Sequence, residues 1–164
     1  MARLTDPGLQ VHRGEVLHFL ADPGNDAADG SFEYFRDGVL IIRGGLIEAA
    51  GPAEALLATV PADVPVTEHP DCILMPGFID THIHYPQVDV IASGGRELLD
   101  WLRDYTFPEE GRFADFAHAS AIAEVFLDEL MRNGTTSALV FCTVHSPSVE
   151  AFFQAAQCRN IACG

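Results

Sequence analysis

The sequence predicts an α/β chain in two parts: a small β-rich domain over residues 1–75, then a strand–helix alternation over 76–164 of the kind that builds a parallel sheet or barrel. Three observations predict it. Short apolar runs punctuated by Gly, Pro and Asp fill the first part. The character changes at Pro76-Gly77. Beyond that point, apolar runs of strand length alternate with stretches of helical period.

In the first part, Val11 to Phe19 has strand character, and Asp22-Pro23-Gly24-Asn25-Asp26 with Asp29-Gly30-Ser31 reads as a polar loop. Val39 to Ile42 is an apolar strand. Gly44-Gly45 then joins it to Leu46 to Ala50, and two runs separated by Gly-Gly predict a tight hairpin, because both glycines accept positive φ. Pro52 to Thr59 reads as a short helix. Val64-Pro65-Val66 and Cys72 to Met75 read as further short strands.

In the second part, Phe78 to His84 is a strand that ends in polar chemistry. A loop with a short helix around Arg96 to Tyr105 follows. Residues 115–132 carry the clearest helical signal: Asp115 is placed to cap, and Phe116, Ala119, Ile122, Ala123, Phe126, Leu130 and Met131 make one apolar stripe. Asn133-Gly134 stops that helix. Thr136 to Phe141 reads as a buried parallel strand, Ser148 to Gln157 as a second helix, and Asn160 to Cys163 as the start of a third strand.

Composition narrows the function classes. The net charge is -15, from 24 acidic and 9 basic residues, which argues against nucleic acid and against an anionic membrane surface. All nine basic residues are arginine, so no lysine is present to form a Schiff base, a P-loop contact or a carbamylated metal bridge. The four cysteines, Cys72, Cys142, Cys158 and Cys163, have no C-x-x-C spacing and read as thiols of a reducing compartment. Residues 1–7 lack the apolar core of a signal peptide, and no run has the roughly 18–20 apolar residues of a membrane span. The expected location is the cytoplasm.

The chemistry concentrates at His82-Ile83-His84. Alternate residues of a strand share a face, so Asp80, His82 and His84 are expected to project together, and two imidazoles one pleat apart can share a metal ion. Neutral imidazole suits zinc, and also iron, nickel or copper. Two histidines on one face of an apolar strand favour metal binding over two merely satisfied polar residues. For Asp80, orienting its neighbours or capping backbone is the stronger reading.

With these residues in view, Pro76-Gly77-Phe78-Ile79-Asp80-Thr81-His82-Ile83-His84 resembles the first-strand signature of the amidohydrolase superfamily. The segments Tyr85-Pro86-Gln87, Glu97 to Leu102 (Glu-Leu-Leu-Asp-Trp-Leu), Tyr105-Thr106-Phe107-Pro108, Arg132 to Thr136 and Thr143-Val144-His145 narrow it to the guanine deaminases of that superfamily. The resemblance spans residues 76–164; residues 1–75 match only in style, as the small β-sandwich-like domain beside the barrel. It implies that the second part begins a (β/α)8 TIM-type barrel. Such a barrel needs about 250 residues, so the roughly 90 from Pro76 onward cover about a third of it.

The resemblance further implies that His82 and His84 are two ligands of a single zinc ion and that Gln87 hydrogen-bonds guanine. The side-chain amide offers the donor and the acceptor that a purine edge requires. Trp101 and Phe107 either wall the pocket or serve as core or lid packing, and His145, just past the second strand, faces the barrel mouth. The implied reaction is hydrolytic deamination: water activated by zinc attacks the purine carbon bearing the exocyclic amine, and xanthine and ammonia form. The family's zinc also takes two later histidines and an aspartate, with a glutamate as proton shuttle, and none of those motifs lies in these residues. The expectation is therefore an N-terminal fragment that carries only the first part of the active site. No catalytic residue is identified beyond the metal ligands, and zinc binding and turnover by this chain alone are expected to be weak. Residues 158–164 also drift from the family's third-strand pattern. Family members are commonly dimers, so a homodimer is the implied assembly.

Two rivals remain. One is a sister amidohydrolase acting on another aminopurine or a triazine. The other is an inactive truncated remnant, which would hold little metal and expose apolar sheet edges. The unrelated zinc deaminases with H-x-E and P-C-x-x-C are set aside, because neither motif occurs.

Overall fold

A computed structural model describes residues 8–24, 30–95 and 97–164. The chain divides into two compact units, Met1–Pro76 and Gly77–Gly164. Residues 1–7, Asn25, Asp26 and Asp29 of the expected polar loop, and Arg96 lie outside the described residues.

The N-terminal unit is a four-stranded sheet in the order β3-β2-β1-β4, built from β1 (Leu9–Phe19), β2 (Phe32–Arg43), β3 (Leu46–Pro52) and β4 (Val66–Leu74). β2 and β3 form the Gly-Gly hairpin: Arg43 pairs with Leu46, and Gly44 and Gly45 both sit at positive φ, 59° and 82°. That is the backbone a two-residue primed turn needs, and a Cβ at either position would strain it. β1 is antiparallel to β2 and parallel to β4. Val11, Val39 and Ile41 on one sheet face are covered by helix α1 (Ala53–Leu57), through Ala53, Leu56 and Leu57. The expectation is a sandwich-like domain; the described residues instead form a single sheet with a short helix against one face. Ala-Glu-Ala-Leu-Leu is a good helix former and supplies the apolar side chains that a second sheet would.

β4 differs from the expectation of two short strands. The two expected runs belong to one strand, which continues through Pro70 and Asp71 on a bulge. Arg13 pairs with Glu68 and Glu15 with Ile73, so β4 carries extra residues in this stretch, with Asp71 at φ 59°. An edge strand tolerates this, because its free side has no ladder to keep.

The second unit is a parallel sheet of β5 (Phe78–His84), β6 (Thr135–Phe141) and β7 (Ala162–Cys163), in that order. α4 (Phe116–Arg132) connects β5 to β6, and α5 (Ser146–Arg159) connects β6 to β7. Strand, helix, strand, helix, strand with neighbours in chain order is the opening wall of a (β/α)8 barrel. Its core lies between sheet and helices, where Tyr85, Phe113, Phe126, Leu127 and Phe152 are fully or almost fully buried. Asp115 caps α4, its carboxylate accepting from the N–H groups of Ala117 and His118 at 2.8 and 3.2 Å. Of the expected stripe, Ala119, Ala123, Phe126 and Leu130 are buried, joined by Leu127, while Phe116 and Met131 are exposed at the helix ends. Gly134, at φ 83°, ends the helix.

After β5 the chain makes a 3₁₀ turn over Tyr85–Val90. It then forms a longer helical run than the sequence suggests: α2 (Leu98–Trp101), a π turn (Leu102–Thr106) and α3 (Phe107–Arg112). The expected short helix ends near Tyr105, and the observed run continues past it through Pro108. Pro108 sits in the first turn of α3, where its missing N–H costs nothing, and the π turn absorbs the change of register before it. Among the described residues no helix is long and apolar enough to cross a membrane.

Candidate metal centre

β5 ends where the sequence turns from apolar to polar, and its last residues carry the two imidazoles. The Nε2 atoms of His82 and His84 lie 3.3 Å apart, with ring centroids 5.3 Å apart. Two Zn–N bonds of about 2.0–2.1 Å meeting at a tetrahedral angle hold their nitrogens roughly 3.3 Å apart. The pair therefore has the spacing and the donor type of two ligands on one divalent ion. His82 is exposed and His84 half-buried, so the facing nitrogens are reachable.

The strict alternation expected for Asp80, His82 and His84 is interrupted. Asp80 pairs with Ala138 and Ile83 with Val140, so β5 carries one extra residue in this stretch. Asp80 uses the bulge: its Oδ1 accepts from the backbone N–H of His82 at 2.9 Å. Its carboxylate fixes the backbone that carries a candidate ligand.

Phe141, at the end of β6, packs against both imidazoles. Its ring centroid is 4.7 Å from that of His84, with planes 15° apart, and 4.6 Å from that of His82. Sequence reasoning passed over Phe141 as the last residue of a buried strand. The signal that finds it is positional: like the histidines, it closes a parallel strand of the same sheet.

His84, Gln87 and Trp101 line one cavity of about 430 Å³, together with Phe126, Leu130 and Asn133. Gln87 points its amide nitrogen at Glu110 Oε1, a long contact of 3.5 Å. Trp101 donates its indole N–H to Ser93 Oγ at 2.7 Å, which holds the ring at the rim. Phe107 and His145 are not brought to this cavity. Phe107 is exposed on the first turn of α3. His145 is the residue before α5, with its backbone N–H on Thr143 Oγ1 at 3.2 Å.

Asp89, Glu109 and His118 form a second cluster, with ligand-type atoms within 4.8 Å of one another. Arg112 already occupies it as the cation, 2.7 Å from Glu109, 3.5 Å from Asp89 and 3.3 Å from His118 Nδ1. It is an ion-pair network that joins α3 to α4 and to the turn after β5.

Residues 73–164 match the model of the amidohydrolase family. Over 156 residues the chain is 41% identical to guanine deaminase of Escherichia coli, which covers 93% of this chain and 35% of that protein. The solved structure of E. coli guanine deaminase superposes with a TM-score of 0.87 at 36% identity, covering 94% of this chain and 36% of the other. A guanine deaminase from C. acetobutylicum, solved with guanine bound in its active site, superposes with a TM-score of 0.76 at 25% identity, over 94% and 35% of the two chains. The chain spans about a third of the length of the relatives it matches.

Proposed function

We propose, because this chain belongs to the amidohydrolase family, that it supplies the first two metal ligands and part of the substrate pocket of a zinc-dependent guanine deaminase. The observation that carries this reading is the convergence of His82 and His84, whose Nε2 atoms are 3.3 Å apart at the end of the first barrel strand. Active sites of such barrels lie at that end of the strands. Similarity to guanine deaminases over almost the whole chain favours guanine among the substrates of the family.

His82 and His84 would hold the metal through their facing nitrogens. A divalent ion held there supplies Lewis acidity and lowers the pKa of water towards about 7. Asp80 keeps the backbone of His82 in place. Gln87, three residues past His84 and lining the same cavity, turns its amide to the purine edge, exchanging its long contact with Glu110 for a donor–acceptor pair on guanine. Trp101 closes the apolar side of that cavity. The reaction consumes guanine and water and yields xanthine and ammonia. A reducing, cytoplasmic setting suits the four free thiols.

A chimera tests the assignment. Residues 1–164 replace the equivalent third of E. coli guanine deaminase, and ammonia release is measured with guanine, other aminopurines and an aminotriazine. The expected result is turnover of guanine, abolished by His82→Ala and reduced by Gln87→Ala. A folded, metal-loaded chimera that prefers the triazine or another purine overturns the substrate. Full activity in the His82→Ala chimera overturns the site.

A further inference from the structure

The residues of β6 divide cleanly between two faces. Ala138 and Val140 pack into the core between sheet and helices, while Leu139 and Phe141 stand on the other face, 52% and 47% exposed. Phe141 is therefore not held in place by the core. Among the described residues its ring contacts are the two imidazoles: His84, stacked at 4.7 Å and 15°, and His82, tilted at 4.6 Å and 41°. The strand register puts Phe141 directly opposite His84. One phenyl ring thus spans both rings of a pair whose Nε2 atoms are 3.3 Å apart.

We infer that Phe141 is the positioning residue of the histidine pair, a flat wall that turns both imidazoles to face one cation; this rests on the reading of His82 and His84 as metal ligands. The rotation of an imidazole about its Cβ–Cγ bond is broad and weakly preferred. Two unsupported rings would each lose that freedom on gripping an ion, and the affinity would fall accordingly. A shared stacking surface removes much of that freedom beforehand. The electrostatics act in the same direction. An imidazole that donates its lone pair to a cation becomes electron-poor, and the negative face of a phenyl ring stabilises it more than the free ring. Groups that orient metal-ligating histidines are as much a part of a metal site as the ligands themselves.

The test is Zn²⁺ binding to the 164-residue chain, followed by calorimetry and by the imidazole NMR signals of His82 and His84. Four forms are compared: wild type, Phe141→Met, Phe141→Tyr and His82→Ala. Methionine keeps bulk and apolarity but offers no flat face; tyrosine keeps the face. Phe141→Met is expected to weaken Zn²⁺ binding about tenfold, the low end of the range for groups that orient ligands. Phe141→Tyr is expected to bind within about twofold of wild type. Both variants should keep the wild-type unfolding midpoint, since the ring is half-exposed. Equal affinity of wild type and Phe141→Met overturns the inference while leaving the ligand reading intact. No Zn²⁺-dependent change at His82 or His84 in the wild type overturns the ligand reading itself. Should Phe141→Met fail to fold, Phe141→Tyr against Phe141→Trp decides. Both keep an aromatic face, and tenfold weaker binding by both contradicts stacking as the cause.

Discussion

The hydroxyl of Tyr85 donates to the carbonyl oxygen of Ser148 at 2.7 Å and lies 2.8 Å from Ser148 Oγ, joining the residue after the candidate ligand His84 to the first turn of α5. Both residues are fully buried, and Ser148 Oγ also accepts from the N–H of Thr143 at 3.2 Å. The end of β5, the loop after β6 and the start of α5 are thereby held at one point. Tyr85→Phe leaves a buried carbonyl without this partner and is expected to destabilise the fold by about 1–2 kcal/mol. Ser148→Ala keeps the carbonyl bond but strips a partner from Thr143 and is expected to cost about as much. Urea unfolding of the two single variants and the double variant checks this; a double variant that costs the full sum of the two would show that the groups act independently.

Gly77 stands immediately before β5 at a point where no side chain fits. A Cβ at that position would run into Thr136, with Thr136 Cβ only 2.7 Å away. Gly77→Ala is expected to cost about 1–3 kcal/mol through overpacking. Thr136→Gly in the same chain should recover part of that loss. An unchanged thermal midpoint in Gly77→Ala would show that β5 and β6 separate more easily than their ladder implies.

Asp115 caps α4 with two backbone hydrogen bonds. Asp115→Ala is expected to lower stability by about 1 kcal/mol and Asp115→Asn by less, because asparagine still accepts from the helix N-terminus. Thermal melts followed by circular dichroism read both.

Much of this architecture is legible in the sequence, because the signals are local. The Gly-Gly hairpin follows from positive φ, the Asp115 cap and Gly134 stop from helix-end chemistry, and the strand–helix alternation from hydrophobic period. What the sequence hides is non-local. The β4 bulge depends on β4 lying at a sheet edge, which no residue of Val64 to Met75 announces. The π turn lets the helical run pass Tyr105, where the expected helix ends, and continue through Pro108. At the candidate site, alternation anticipates that His82 and His84 meet but not the extra residue after Asp80, which turns that carboxylate onto backbone. Phe141 is invisible without the pairing of β5 with β6, since its importance lies in what stands opposite it. Trp101 reaches the cavity that His84 and Gln87 line, while Phe107 is carried to the exposed first turn of α3 and His145 stays in the extended segment before α5.

Burial pushes the Cys142 thiol up to about 11, and the Cys163 thiol upward as well, whereas Cys72 and Cys158 are exposed. The thiolate is the nucleophile, so at pH 8 Cys142 is expected to react with iodoacetamide at least tenfold more slowly than Cys72, a factor of ten corresponding to one unit of pKa. A group whose neutral form is favoured in the folded state contributes stability that is complete below its ordinary value near 9 and lost as pH rises towards 11. Cys142→Ser should flatten that alkaline decline. Mass-spectrometric alkylation rates with and without urea check the first part, and Cys142 reacting as fast as Cys72 in the folded chain would contradict it.

On the proposed reading, His82 and His84 grip one cation. A Zn²⁺ titration of the folded chain, read residue by residue at the imidazole nitrogens of all seven histidines by NMR, tests it most directly. The expected result is a joint shift of His82 and His84 Nε2, saturating at one ion per chain and abolished by His82→Ala. Shifts of the two rings at different Zn²⁺ concentrations, or shifts confined to other histidines, would contradict it.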